Sequence, residues 1–151
     1  MPYAQTRVIN DADSHIMESE GWLAGFADAD IRDRLLSLRL EAGGAGAAKA
    51  IKLAQERQRD AEKTAAIAVD VISGPKGWGA LGAMNPDERR RALDDLGFQR
   101  QLVFTTFAGS QFLRSDDQDV RYGGARALNR GMAEFCSGDK RLIAVGMVTL
   151  D

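Results

Sequence analysis

The alternation of apolar and polar positions divides the chain into short strand-like runs and longer helical ones. Arg7–Asp13 (RVINDAD) predicts a strand, because Val8 and Ile9 are β-formers in a short run with polar flanks. A polar turn and a brief apolar segment, Gly21 to Phe26, come next. Ile31–Leu40 predicts a helix: Ile31, Leu35 and Leu38 recur at helical spacing, with Asp30 as the N-cap. The stretch opening Glu41-Ala42-Gly43-Gly44 is a Gly/Ala-rich break. Ala47–Asp70 predicts a second helical run with a mostly small face, and the Gly/Pro cluster Ser73 to Gly79 predicts a loop.

The second half is more regular. Asn85-Pro86-Asp87-Glu88 carries a complete helix start: a capping side chain, Pro at the first helical position and two acids at the positive end of the dipole. That helix runs to Leu96 and stops at Gly97. Gln101–Phe107 (QLVFTTF) is nearly continuous in apolar, β-branched and aromatic character, as expected of a parallel strand buried on both faces. A longer helix is predicted from Asp119 to Ser137, before Gly138, and Leu142–Leu150 (LIAVGMVTL) predicts another apolar strand. The order is β, helical insertion (residues 31–80), α, β, α, β, which indicates an α/β fold with a parallel sheet or barrel.

Composition narrows the classes. The 151 residues are a prior for one domain, 1–151, and 44% hydrophobic content is enough for a core. A net charge of −2 argues against a nucleic-acid-coating protein. No apolar run approaches the roughly 20 residues of a membrane span, and the first residues carry no apolar signal core. A lone cysteine, Cys136, fits a reducing compartment, so a cytoplasmic location is expected.

The segment that bears chemistry is Asp11-Ala12-Asp13-Ser14-His15. Residues two apart on a strand share a face, so Asp11, Asp13 and His15 would project together. Two carboxylates and an imidazole suit a divalent ion such as zinc, manganese or iron. Glu18 lies one turn further on and would join them or act on substrate. A competing reading is a polar strand end whose acids cap the following turn, with His15 half exposed. His15 is the only histidine, so a three-histidine zinc site is excluded.

The run RVINDADSHIMES with Gly21-Trp22-Leu23 resembles the opening of the amidohydrolase-related metal-dependent hydrolases. These include decarboxylases similar to the aminocarboxymuconate-semialdehyde and hydroxybenzoate types. The family opens with Asp-x-His-x-His at the end of the first barrel strand. Asp11 and His15 match its first and last members, and Asp13 stands where the first ligating histidine usually is. The resemblance extends to Asn85–Phe98, to Leu102–Phe107, to Ala127–Cys136 and to Arg141–Val148, in the family's order, and is weakest over residues 31–80.

The resemblance implies the N-terminal portion of a (β/α)8 barrel, a fold usually of about 250 residues. It implies a divalent metal held partly by Asp13 and His15. Asp11, Glu18 and Thr106 become candidates for substrate or supporting contacts, and Thr105, Phe107, Thr149 and Asp151 would stand at the same ends of later strands. The implied activity is hydrolysis or decarboxylation of a small carboxylate, amide, ester or lactone. The family's later metal ligands and its further acid/base have no counterpart in these residues. The alternative is a catalytically silent half-barrel that associates with itself or another chain, because a three-stranded parallel sheet leaves bare edges and an apolar face. Other residues take plainer readings. Trp22 and Trp78 are read as packing, Arg89-Arg90-Arg91 as a solvated helix face, and Cys136 as a buried inert thiol. Gly43 to Gly46 is no phosphate loop, since the Lys-Ser/Thr ending is missing.

Overall fold

A computed structural model describes residues 2–40, 44–68 and 71–149. Three strands, β1 (Asn10–His15), β2 (Arg100–Phe104) and β3 (Leu142–Ala144), form one parallel sheet in the order β1-β2-β3. Six helices accompany them: α1 (Trp22–Phe26), α2 (Ala29–Arg32), α3 (Ala47–Gln58), α4 (Ala61–Ala68), α5 (Pro86–Leu96) and α6 (Gln118–Cys136). Short 3-10 turns at Gly77–Gly79 and Ala108–Gln111 interrupt the loops. The mixed α/β class and the parallel pairing are those the sequence predicts.

The main core lies between the sheet and α6. Ile16, Leu23, Ile31, Leu93, Val103, Phe112, Leu128, Met132 and Leu142 are all buried in it. Alternate strand residues point the other way: Leu102 and Ile143, partners across the β2–β3 ladder, remain 37% and 39% exposed. Glycines on α6 let the core close. A Cβ at Gly124 would lie 2.2 Å from Cγ of the fully buried Phe112, and one at Gly131 would lie 2.6 Å from the Trp22 ring.

Helix α5 forms as its sequence dictates. The Asn85 side chain accepts the backbone N–H groups of Asp87 and Glu88 at 2.8 and 3.1 Å, Pro86 opens the helix, and Gly97 ends it at φ 72°. Helix α6 is capped by the side chain of Asp117, which accepts from the Asp119 N–H at 3.0 Å.

Elsewhere tertiary contacts move the predicted boundaries. β1 spans Asn10–His15 rather than Arg7–Asp13, because the ladder begins where β2 offers partners, Asn10 opposite Arg100; Val8 stays exposed before it. The predicted helix Ile31–Leu40 is only α2, and Asp28 rather than Asp30 precedes it as the cap residue. Gln111 explains the stop. Its carbonyl accepts from the Leu36 N–H at 3.0 Å and its side-chain amide donates to the Leu36 carbonyl at 2.6 Å.

The run predicted from Ala47 forms two helices over its described residues, α3 and α4. Asp60 breaks it, because its carboxylate accepts the N–H groups of Glu62 and Lys63 at 3.0 and 3.1 Å and starts α4. β2 ends at Phe104 rather than Phe107, and β3 at Ala144 rather than Leu150. After β3 the chain is held by Asn129, whose amide donates to the Met147 carbonyl at 2.8 Å and whose carbonyl accepts its N–H at 2.7 Å. Glu41 to Gly43 of the predicted Gly/Ala break, Val69 and Asp70 of the predicted helix, and Leu150 and Asp151 lie outside the described residues.

Candidate functional site

Asp13 and His15 meet at the C-terminal end of β1. His15 Nε2 lies 3.2 Å from Asp13 Oδ1, with the imidazole 40% and the carboxylate 90% exposed. The other ring nitrogen, Nδ1, sits 3.1 Å from the Thr105 carbonyl oxygen and 3.2 Å from Thr106 Oγ1. Thr106 commits its own hydroxyl proton to the Ile16 carbonyl at 2.7 Å, so toward the ring its oxygen is an acceptor. Two acceptors at Nδ1 assign the proton to that nitrogen. Nε2 therefore turns its remaining site toward a carboxylate oxygen, and a positive centre, a proton or a metal ion, is what such a pair of acceptors needs between them. The ring also stacks on Phe104, with centroids 5.5 Å apart.

Asp11 lines one cleft with them, but its carboxylate is engaged by other partners than the His15 ring, unlike the single shared face expected. The ladder slips between Asp11 and Ser14, which breaks the two-residue alternation. Asp11 Oδ2 accepts from Gln101 Nε2 at 3.1 Å, and its Oδ1 accepts the Asp13 backbone N–H at 3.0 Å. Among the described residues no group of three or more His, Cys, Asp or Glu side chains is arranged to hold a metal ion.

Glu18 is buried and its carboxylate is occupied by backbone. Oε1 accepts the N–H of Thr106 at 2.9 Å and of Ala108 at 3.3 Å, and Oε2 accepts that of Phe107 at 3.0 Å. These bonds turn the chain out of β2 after Phe104 and present Thr105 and Thr106 to His15. Trp78 closes the same corner. It is buried, donates its indole N–H to the Glu18 carbonyl at 2.9 Å and stacks on Phe107 at 5.0 Å. Trp22 packs against Phe26, so both tryptophans are packing residues here.

Arg89 departs from the solvated-face reading, which Arg90 and Arg91 keep as surface partners of Asp87 and Asp95. It is 7% exposed and reaches from α5 under the end of β1. Nη2 donates to the His15 carbonyl at 2.6 Å, Nη1 to Ser14 Oγ at 2.5 Å, and Nε to the Gly82 carbonyl at 2.7 Å. Burial pulls the guanidinium down to about 10, with the Asp11 charge acting against that shift. The sequence signal was available: Arg89 lies on the stripe Arg89, Ala92, Leu93, Leu96, the i, i+3, i+4, i+7 face that the helix buries. Gly82 permits the approach, since a Cβ there would lie 2.4 Å from Arg89 Cα and its φ is +78°. The Cys136 thiol is buried, as expected, and burial pushes its pKa up.

A second buried cation ties the insertion to α5. Arg57 Nε and Nη2 donate to the two oxygens of Glu88 at 3.1 and 2.9 Å, and Arg57 Nη1 donates to the Gly79 carbonyl at 2.8 Å. The sequence reading assigned Glu88 only to the helix dipole. A cleft of about 430 Å³ runs along β1 between α5 and the segment 71–83, with Asp13, His15, Lys76 and Arg89 in its lining. Among the described residues no helix is long and apolar enough to cross a membrane. No protein-family model and no curated protein matches the chain.

Proposed function

We propose that the chain supplies the first part of a (β/α)8 barrel in a metal-dependent hydrolase or carboxy-lyase of the amidohydrolase type. Its substrate would be a small carboxylate, amide, ester or lactone. In this reading Asp13 and His15 hold a divalent ion, zinc, manganese or iron, at the C-terminal end of the first strand. That end is where such barrels place their active sites.

The observation that carries the reading is the 3.2 Å spacing of His15 Nε2 and Asp13 Oδ1, with Nδ1 facing backbone and hydroxyl acceptors. Two ligand atoms at about 2.0–2.1 Å from a tetrahedral ion stand roughly 3.3 Å apart. A ligating histidine almost always donates its other N–H to a carbonyl or carboxylate, which orients the ring. The donor set is therefore suitable for half of a tetrahedral site, and the remaining ligands have to come from elsewhere. When bound, such an ion polarises a substrate carbonyl or carboxylate, or lowers the pKa of a bound water to about 7. The chain's own contribution is positioning. Thr105 and Thr106 orient the imidazole, Glu18 holds Thr106, and Arg89 anchors the His15 backbone.

Calorimetric titration of the full chain with Zn2+ and Mn2+, and with Fe2+ under anaerobic conditions, tests the proposal. Saturable binding that is lost in the Asp13→Ala/His15→Ala variant with the fold intact supports it. Binding that survives both substitutions overturns it.

A second reading, a catalytically silent half-barrel that associates with itself or another chain, is favoured by the exposed pair Leu102 and Ile143 on the sheet face away from the helices. It expects concentration-dependent association of the full chain by light scattering, weakened by Ile143→Lys. A monomer at all concentrations with cooperative unfolding excludes the self-associating form.

A further inference from the structure

Helices α3 and α4 and the segment before α5 surround a slot of about 440 Å³ on the insertion. Its walls are apolar, with Leu53 and Ala54 from α3, Ile67 from α4 and Pro75 from the loop. Alanine at positions 50, 54 and 66 leaves the space between the helices unfilled, and Leu53 beside it remains 53% exposed. The volume lies within the roughly 300–1,000 Å³ of small-molecule pockets.

The charged side chains lining the slot are Arg57, Lys63 and Lys76, all cationic. Arg57, at its inner end, is neutralised by Glu88. Lys63 stands 3.6 Å from Asp60, a carboxylate already accepting two backbone N–H groups. Lys76 donates to the carbonyl of Ile72, a neutral acceptor, and forms no carboxylate ion pair among the described residues. An apolar interior with two exposed ammonium groups at its rim complements a molecule with an apolar chain and an anionic head.

We propose that this slot binds an amphipathic monocarboxylate, the hydrocarbon chain between α3 and α4 and the carboxylate beside Lys63 and Lys76. Chain burial supplies the attraction, and the lysines select the head group, with an affinity that falls as salt screens them. The slot shares Lys76 with the cleft beside the Asp13–His15 pair but neither of those two residues, and the proposal stands whether or not that pair binds metal.

The test is calorimetric titration of the full chain with sodium decanoate, decanol and decyltrimethylammonium, each below its aggregation or solubility limit. Saturable decanoate binding, with decanol weaker by about tenfold and the cationic amphiphile weaker still, is expected. Lys63→Gln/Lys76→Gln should weaken decanoate by about tenfold and leave decanol unchanged. Ala66→Phe, which fills the slot from its exposed rim, should abolish both. Circular dichroism verifies that each variant is folded, and Leu53→Glu, at an exposed wall position, replaces Ala66→Phe if that variant unfolds. No saturable decanoate binding, equal affinity for decanol or the cationic amphiphile, or decanoate binding indifferent to the lysine or slot-filling variants would overturn the proposal.

Discussion

Glu18 Oε1 accepts the backbone N–H of Thr106 at 2.9 Å, and through that bond a buried carboxylate after β1 sets the position of the hydroxyl beside His15. Glu18→Ala would orphan the N–H groups of Thr106, Phe107 and Ala108 and should cost on the order of 3 kcal/mol. Chemical denaturation gives the total. The His15 ring resonances report whether Thr105 and Thr106 have moved, and an unshifted ring together with a loss under about 1 kcal/mol would contradict the positioning role.

The Arg57–Glu88 pair, with both side chains 6% exposed, makes a distinct prediction. Arg57→Ala leaves a buried carboxylate without its cation and should destabilise by about 3–5 kcal/mol. Replacing both, as Arg57→Met/Glu88→Leu, should recover much of that loss, because the desolvation penalty of the two charges disappears together. Urea midpoints of the single and double variants decide it. A double variant less stable than the single would show that the pair contributes more than mutual compensation.

Gly124→Ala and Gly25→Ala form a matched comparison. Both glycines are helical, yet a Cβ at Gly124 collides with Phe112 while one at Gly25 meets nothing within 4 Å. Overpacking at Gly124 should cost about 1–3 kcal/mol and outweigh the roughly 1 kcal/mol gain in helix propensity. Gly25→Ala should show only the gain. Thermal midpoints moving in the same direction would refute the packing account.

Acid sensitivity should be concentrated in the paired carboxylates. Hydrogen bonds from the Arg141 guanidinium hold Asp139 below its ordinary 3.8, and those from Arg130 do the same for Asp28. A lowered native pKa means that the unfolded chain takes up protons first as pH falls. The stabilisation is therefore complete above 3.8 and is lost as pH drops through the lower native values. Asp139→Asn should lower the urea midpoint at about pH 6 and have a smaller effect at about pH 2. An effect of equal size at both would rule out the ion pair as its cause.

What was legible in the sequence was local. Asn85, Pro86 and Gly97 act within one turn of their own helix, so α5 could be bounded to the residue. The apolar runs containing Val103 and Leu142 identified two strands, and Asp13 and His15 meet as their placement two positions apart suggests. Asp11 lines the same cleft, but the ladder slip breaks the strand alternation that would have set it on one face with Asp13 and His15. Glu18, proposed for metal or substrate, is occupied by backbone N–H groups about 90 residues away in sequence, a relation that no spacing rule contains.

The sequence by itself determined the α/β class, the caps of α5 and the position of the one histidine, since propensity, capping and short-range spacing act between neighbouring residues. Tertiary structure decided where strands stop, which arginines are buried and which carboxylates are occupied. Gln111 takes up the Leu36 backbone inside the run predicted as a helix to Leu40, Asn129 holds the chain after β3, and Arg89 leaves solvent for the underside of β1. Each follows from the demand of buried backbone and charged groups for partners, which the fold meets with residues distant in sequence.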